Sequence, residues 1–187
     1  MSFGRRVVSF LLSLVMLAGV FSCASCQRKD NEPTTVKSIE ECVGAYNYDA
    51  SVVAFVYEQI ESEEEGFYGI QYREVLDLDS ILRQDDIAVC VYFYNSANTS
   101  TLGITAGVED LAQTLVGRVV VIGIDAFREA DLSSAFEVEA YPEFILIKGN
   151  VRIATFNGLN YESWDMNDVA SWMSANGYTP DYSMLDY

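Results

Sequence analysis

Apolar residues in the first part of the folded chain recur at intervals of three and four positions. They fall at Val36, Ile39, Val43 and Tyr46, and then at Val52, Val53, Phe55, Val56 and Ile60. This is the spacing of amphipathic helices, and Asp49 stands where it would cap the second one. The pattern therefore predicts a helical extension over residues 36–66.

From residue 67 onward, short apolar runs alternate with helical patterns. The predicted strands are residues 67–76, 87–94, 119–124, 143–148 and 151–156. The predicted helices begin at Asp77 or Asp79 and near residues 104, 131 and 166, and a tight turn at Gly149 and Asn150 joins the last two strands. Buried strands that alternate with helices predict an α/β layered domain over residues 67–178. Residues 179–187 are expected to form a loose, flexible tail.

The N-terminal residues have the pattern of a secretory signal. Arg5 and Arg6 precede an apolar run over residues 7–21, and small residues follow. The run is shorter than the roughly 20 residues that a membrane-spanning helix needs. We therefore expect residues 1–22 to be a signal peptide and the protein to be exported, with a retained signal anchor as the alternative.

Residues 20–26, Val-Phe-Ser-Cys-Ala-Ser-Cys, resemble a bacterial lipobox in which Cys23 carries the lipid. Phe21 departs from the small or branched residues that are usual at its position. The resemblance implies a lipid anchor on the extracytoplasmic face of the cell membrane. Cleavage after Ala24 would instead release a soluble secreted protein. The polar residues 23–35 would form the tether to the folded domain.

Charge and composition exclude several functions. The formal net charge is -17, from 28 acidic and 11 basic residues, so the surface repels the phosphate backbone of nucleic acids. The absence of histidine removes Ser-His-Asp and Cys-His catalysis and the commonest transition-metal ligand. The acidic run at residues 61–65 lacks the spacing and the glycine of a calcium loop. We expect no metal and no cofactor.

Over residues 67–177 the chain resembles the thioredoxin family. Residues 91–94 sit like the strand that leads into the family's active site, and residues 121–125 are similar to its central strand and closing aspartate. Residues 140–149 match a strand that begins with an apolar residue and a cis-proline, and Gly158 precedes the last helix. The resemblance implies a thioredoxin-like fold, a central mixed sheet flanked by helices, with a cis bond at Tyr141-Pro142.

The resemblance fails at the family's catalytic cysteines. Counting from Phe93, the Trp-Cys-x-x-Cys motif falls on residues 97–101, which read Ala-Asn-Thr-Ser-Thr. Tyr92 stands where active members often carry a buried acid. We expect a vestigial loop without catalytic residues, whose side chains only cap a helix. That loop consists of Asn98, Thr99, Ser100 and Thr101. Because glycine disfavours helices, Gly103 and Gly107 indicate a later helix start, near residue 106.

The remaining cysteines do not suggest a working redox pair. Cys90 lies in an apolar strand and is expected to be a buried thiol. If the N-terminal helix packs on the sheet, an oxidising compartment would allow a disulfide between Cys42 and Cys90, or between Cys26 and Cys42. Cys23 and Cys26 form a CxxC, but they lie at the processing site and are a poor redox pair.

Three functions fit these patterns. The first is a redox-inactive module at the cell envelope that binds an extended protein or peptide segment at Ala140, Tyr141 and Pro142. The second is a thiol-disulfide oxidoreductase, for cell redox homeostasis, that uses the non-standard cysteines. The third is an acidic surface or assembly protein whose Trp164, Trp172 and tyrosine-rich tail contact a partner.

Overall fold

The computed structural model describes residues 36–60, 66–98 and 103–185, which all belong to one unit that begins at Val36. The predicted signal peptide (residues 1–22), the tether (residues 23–35) and the lipid-bearing Cys23 lie outside the described residues. None of the described helices combines the length and the apolar character that crossing a bilayer requires.

The described residues form a single sheet with helices on its two faces. The strands are β1 (Val43–Tyr46), β2 (Val52–Gln59), β3 (Tyr68–Val75), β4 (Ala88–Tyr94), β5 (Val119–Asp125), β6 (Glu143–Lys148) and β7 (Val151–Asn157). The helices are α1 (Ile39–Cys42), α2 (Leu78–Leu82), α3 (Thr105–Thr114), α4 (Ala130–Ala135) and α5 (Met166–Ala175). Short 3-10 turns follow at Gly158–Asn160 and Tyr182–Met184.

The strand order is β1-β3-β2-β5-β4-β6-β7. Strands β4 and β5 pair in parallel, and every other pair of neighbours is antiparallel. The predicted α/β fold with a mixed sheet flanked by helices is therefore confirmed.

The predicted helical extension over residues 36–66 is wrong. Of residues 36–60 and 66, which the structure describes in this range, only Ile39–Cys42 is helical, and Val52–Gln59 is a strand that pairs with both β3 and β5. Val53 and Phe55 enter one apolar core, whereas Ala54 between them enters the other. A strand buried on both faces is apolar at consecutive positions, and such a run imitates helical spacing. The sheet therefore begins well before the predicted domain boundary at residue 67.

Two apolar cores lie on opposite faces of the sheet. Along β4, Cys90 and Tyr92 enter the first core, whereas Val91 and Phe93 enter the second. Helices α3 and α5 cover the first core with residues such as Val108 and Met173. Helices α1, α2 and α4 cover the second core. Because successive side chains of a strand point to opposite faces of the sheet, alternate residues of β4 and β6 enter the first and the second core.

The C-terminal residues are bound to the domain, so the expectation of a flexible tail over residues 179–187 is wrong up to residue 185. The amide of Asp181 donates a 2.9 Å hydrogen bond to the carbonyl of Thr114, at the end of α3. Arg118 donates to the carbonyl of Thr179, and Pro180 is buried. The tail therefore satisfies a carbonyl that the helix end leaves without an intrahelical partner.

Candidate functional site

The loop after β4 is held by a buried aspartate at the end of β5. The Oδ1 atom of Asp125 accepts hydrogen bonds of 3.1 Å from the amides of Ser96 and Phe127. The loop itself turns at Asn95, whose carbonyl accepts a 2.9 Å bond from the amide of Asn98. Asp125 thus fixes the point at which the chain leaves the sheet.

Helix α3 begins at Thr105, and its N-cap, Ile104, makes no side-chain capping bond. The expectation that Asn98 caps this helix is therefore wrong, because the helix starts seven residues later in the chain. Thr99, Ser100 and Thr101 lie outside the described residues. The later start that the glycines indicated is confirmed. A Cβ atom at Gly107 would lie 2.5 Å from Cγ of Met166, so the glycine lets α3 and α5 approach closely.

Tyr92 lies at the position where the family resemblance led us to expect a buried acid in active members. It is buried between Tyr94 and Phe144, with ring centroids 5.4 and 5.0 Å away. Burial raises the pKa of its hydroxyl. Tyr92 therefore carries no negative charge at neutral pH and cannot perform the proton transfer of a buried acid.

The loop before β6 contains two backbone amides that form no hydrogen bond with the described part of the chain. The Tyr141-Pro142 bond is cis, as predicted. The Tyr141 hydroxyl lies 2.6 Å from Oγ of Ser133, which fixes the ring against α4. Within the described residues, the amides of Ala140 and Tyr141 donate no hydrogen bond. Unpaired backbone donors of this kind remain available to another chain.

An open groove of about 410 Å³ runs beside this loop. It is lined by Ala140, Tyr141 and Pro142 on one side and by residues between Gly158 and Trp164 on the other. Leu159 is 74% exposed and Tyr161 is 47% exposed, so the groove offers apolar surface to solvent. A Cβ atom at Gly158 would collide with Nε1 of Trp164, so the glycine allows that ring to form part of the wall.

A buried polar pair adjoins the groove in sequence, since Glu143 follows Pro142 and Asn157 precedes Gly158. Glu143, which follows Pro142, accepts a 2.7 Å hydrogen bond from Nδ2 of Asn157 on the neighbouring strand. Burial raises the pKa of the Glu143 carboxyl. The Oδ1 atom of Asn157 accepts a 2.9 Å bond from the amide of Leu159. Sequence reasoning missed this pair, although a glutamate that directly precedes four apolar strand residues is itself a signal.

The two described cysteines do not pair. Both are free, and Cys42 lies in the second core whereas Cys90 lies in the first, so the suggested Cys42–Cys90 disulfide is wrong. Burial raises the pKa of Cys42 and raises that of Cys90 to about 12. Cys90 pairs with Leu146 on β6. Leu146 follows Pro142 by four residues, which places Cys90 about 13 Å from Pro142 along the strand direction. Cys26, the other suggested partner of Cys42, lies outside the described residues.

The chain was compared with family models and with solved structures. Residues 72–171 match the family model described as thioredoxin. The germline-specific thioredoxin Deadhead of Drosophila melanogaster is 24% identical with a TM-score of 0.43, covering 49% of this chain and 82% of that one. A malarial protein is 17% identical with a TM-score of 0.42, covering 48% of this chain and 97% of that one.

A search among curated proteins found no match. The family model nevertheless spans more than half of the chain, from β3 into α5. The chain belongs to the thioredoxin family.

Proposed function

We propose that this chain is a redox-inactive member of the family that binds an extended peptide segment at the cell envelope. The observation that carries the proposal is the pair of amides at Ala140 and Tyr141, which border an open groove and donate no hydrogen bond to any residue that the structure describes. Backbone pairing of this kind needs no thiol, so it can persist after the cysteines are lost.

The groove supplies both elements that recognition of an extended segment requires. The amides of Ala140 and Tyr141 offer main-chain hydrogen bonds, which are independent of the sequence bound. Leu159 and Tyr161 offer apolar surface for alternate side chains of the segment. Glu162 lines the same groove, and the chain is strongly acidic, so we expect the segment to be apolar with basic flanks.

The cysteines support the absence of disulfide exchange. The thiolate is the nucleophile in that reaction, and burial keeps Cys42 and Cys90 protonated. By the count from Phe93, the family's two cysteine positions fall on Asn98 and Thr101, neither of which contains sulfur.

Export and lipid anchoring rest on the sequence of the leader. Mass spectrometry of the mature N-terminus after bacterial expression tests them: acylated Cys23 at the N-terminus is the expected result. A Cys23→Ser variant is the matched control and would lack the lipid. A mature chain that begins at Ser25 would contradict lipid anchoring but would still be consistent with export.

A peptide-display selection tests the groove. The full-length chain, purified in a non-ionic detergent, is used to select peptides of random sequence. The selected peptides are then titrated against Leu159→Glu and against Val151→Glu, a control in which another strongly exposed apolar residue, on β7, is changed. We expect Leu159→Glu to weaken binding at least about tenfold and Val151→Glu to leave it unchanged. Equal binding to both variants would contradict the proposal.

A further inference from the structure

A separate cavity of about 240 Å³ opens beside the ends of β4 and β5, and it shares no lining residue with the groove at Pro142. Four tyrosines line it, although they come from three different parts of the fold. They are Tyr48 from the turn before β2, Tyr72 from β3, and Tyr92 and Tyr94 from β4. The family's catalytic chemistry does not account for this aromatic wall.

The tyrosines form two contacting pairs. The rings of Tyr48 and Tyr72 meet edge to face, with centroids 5.1 Å apart, and those of Tyr92 and Tyr94 stack at 5.4 Å. The Tyr72 hydroxyl donates a hydrogen bond to the Glu109 carboxylate on α3. Burial raises the pKa of Tyr94 to about 12 and raises that of Tyr72. The buried rings are therefore neutral at physiological pH.

The cavity also contains a buried carboxylate that forms no ion pair with the described residues. Asp125 is only 2% exposed and lines the cavity. The ion pairs formed by the described residues use Asp77, Glu58 and Asp79, and none of them involves Asp125. Arg128 also lines the cavity, but its Nη1 donates a 2.6 Å hydrogen bond to the carbonyl of Asp49. A buried carboxylate is stabilised when a cation lies beside it.

We propose that this cavity binds a small organic cation that carries an ammonium group. Aromatic rings attract cations through the negative potential of their faces, and the carboxyl oxygens of Asp125 lie in the lining of the same cavity. The lining contains two carboxylates, Asp49 and Asp125, against one guanidinium, so its charge also favours a cation. The volume is below the roughly 300 Å³ at which pockets for drug-sized ligands begin, which limits the ligand to a few heavy atoms.

Two other ligand classes fit the lining less well. An anion would meet Arg128, but it would also meet the buried Asp125 carboxylate and the electron-rich rings. A neutral apolar molecule would contact the rings and leave Asp125 without a counter-ion. Titration with one ligand of each class distinguishes the cation from both.

The test is isothermal titration of the full-length chain, in a non-ionic detergent that carries no ammonium group. The ligands are choline, its neutral isostere 3,3-dimethyl-1-butanol, and inorganic phosphate. We expect saturable binding of choline at least about tenfold tighter than that of the isostere, and no binding of phosphate.

Variants of Tyr48 and Asp125 locate the site. Tyr48 is 64% exposed, so the fold does not depend on its side chain. We expect Tyr48→Leu to weaken choline binding several-fold, whereas Tyr48→Phe, which keeps the ring, binds as the wild type does. Asp125→Asn keeps the acceptor for the amides of Ser96 and Phe127, and it should remove the preference for choline over the isostere.

Three results would overturn the proposal. They are the absence of saturable choline binding, equal binding of the isostere by the wild type, and undiminished binding by Tyr48→Leu. The comparison of Tyr48→Leu with Tyr48→Phe tests the proposed cation site even if Asp125→Asn does not fold.

Discussion

The Nδ2 amide of Asn157 donates a 2.7 Å hydrogen bond to the carboxylate of Glu143, and both side chains are buried. Glu143 follows directly on Pro142, and Asn157 also accepts the amide of Leu159. One polar pair thus connects the two walls of the peptide groove. Its integrity should affect both the stability of the domain and the shape of the groove.

Glu143 should make the stability of the domain fall as the pH rises. Burial raises its pKa in the folded chain above the ordinary value of 4.5. The folded state therefore binds more protons than the unfolded state, so the contribution is present below pH 4.5 and is lost as the pH rises through the raised pKa. Glu143→Gln cannot titrate, so its stability relative to the wild type should increase with pH over this range.

Urea denaturation of the wild type and Glu143→Gln at about pH 4, 5.5 and 7.5 measures this difference. Glu162→Gln, an exposed carboxylate in the same groove, is the matched control and should show no such trend. A difference between the wild type and Glu143→Gln that is constant across these pH values would contradict the assignment.

Gly158→Ala should destabilise the domain by about 1–3 kcal/mol, because the added methyl group would collide with the Trp164 ring. Gly44→Ala is the control. Its Cβ would lie 3.3 Å from the exposed, movable side chain of Leu76, so it should change stability by less than about 0.5 kcal/mol. Thermal unfolding of both variants checks this prediction, and equal midpoints would refute it.

The buried runs of the chain could be predicted from sequence, and its N-terminal strands could not. Residues 88–94 and 119–125 are apolar at nearly every position, and only a central strand satisfies such runs. Residues 52–56 are also largely buried, but alanine interrupts the run of bulky apolar side chains. Their three- and four-residue intervals therefore matched a helix, and only pairing with β3 and β5 decides between the two structures.

Of the candidate sites, too, some residues could be predicted from the sequence and others could not. Ala140, Tyr141 and Pro142 were found through the family resemblance, because the motif is contiguous. The Glu143–Asn157 pair and the tyrosine cavity were missed because their members are brought together by strand register and by packing between layers. Sequence patterns within one element do not record such contacts.

Tyr72→Phe should destabilise the domain by about 1 kcal/mol, because it removes the hydrogen bond that joins β3 to Glu109 of α3. Tyr46→Phe provides a control, since Tyr46 is exposed and its hydroxyl forms no hydrogen bond with the described residues. Chemical denaturation of both variants measures the difference. Equal loss of stability in the two would show that the bond contributes nothing.

Removal of residues 179–187 should lower the stability of the domain. The truncation eliminates the bond from the Asp181 amide to the Thr114 carbonyl and uncovers the surface beneath Pro180. We expect a loss of about 1–3 kcal/mol in denaturation experiments. An unchanged unfolding midpoint would indicate that the tail is loose after all.

Cys42 and Cys90 should resist alkylation in the folded protein. Both are fully buried, and their raised pKa values leave little thiolate at about pH 8. Treatment with N-ethylmaleimide followed by peptide mass spectrometry should show slow labelling at both sites, and fast labelling in denaturant. Rapid labelling of either thiol in the native protein would contradict the described burial.

This family member is proposed to work without disulfide exchange, and dithiothreitol-driven reduction of insulin disulfides is the decisive test. The full-length chain and its Cys42→Ser/Cys90→Ser double variant are compared with a protein-free control. We predict the same rate in all three reactions. A rate above the protein-free background that disappears when cysteines of this chain are replaced by serine would contradict the proposal.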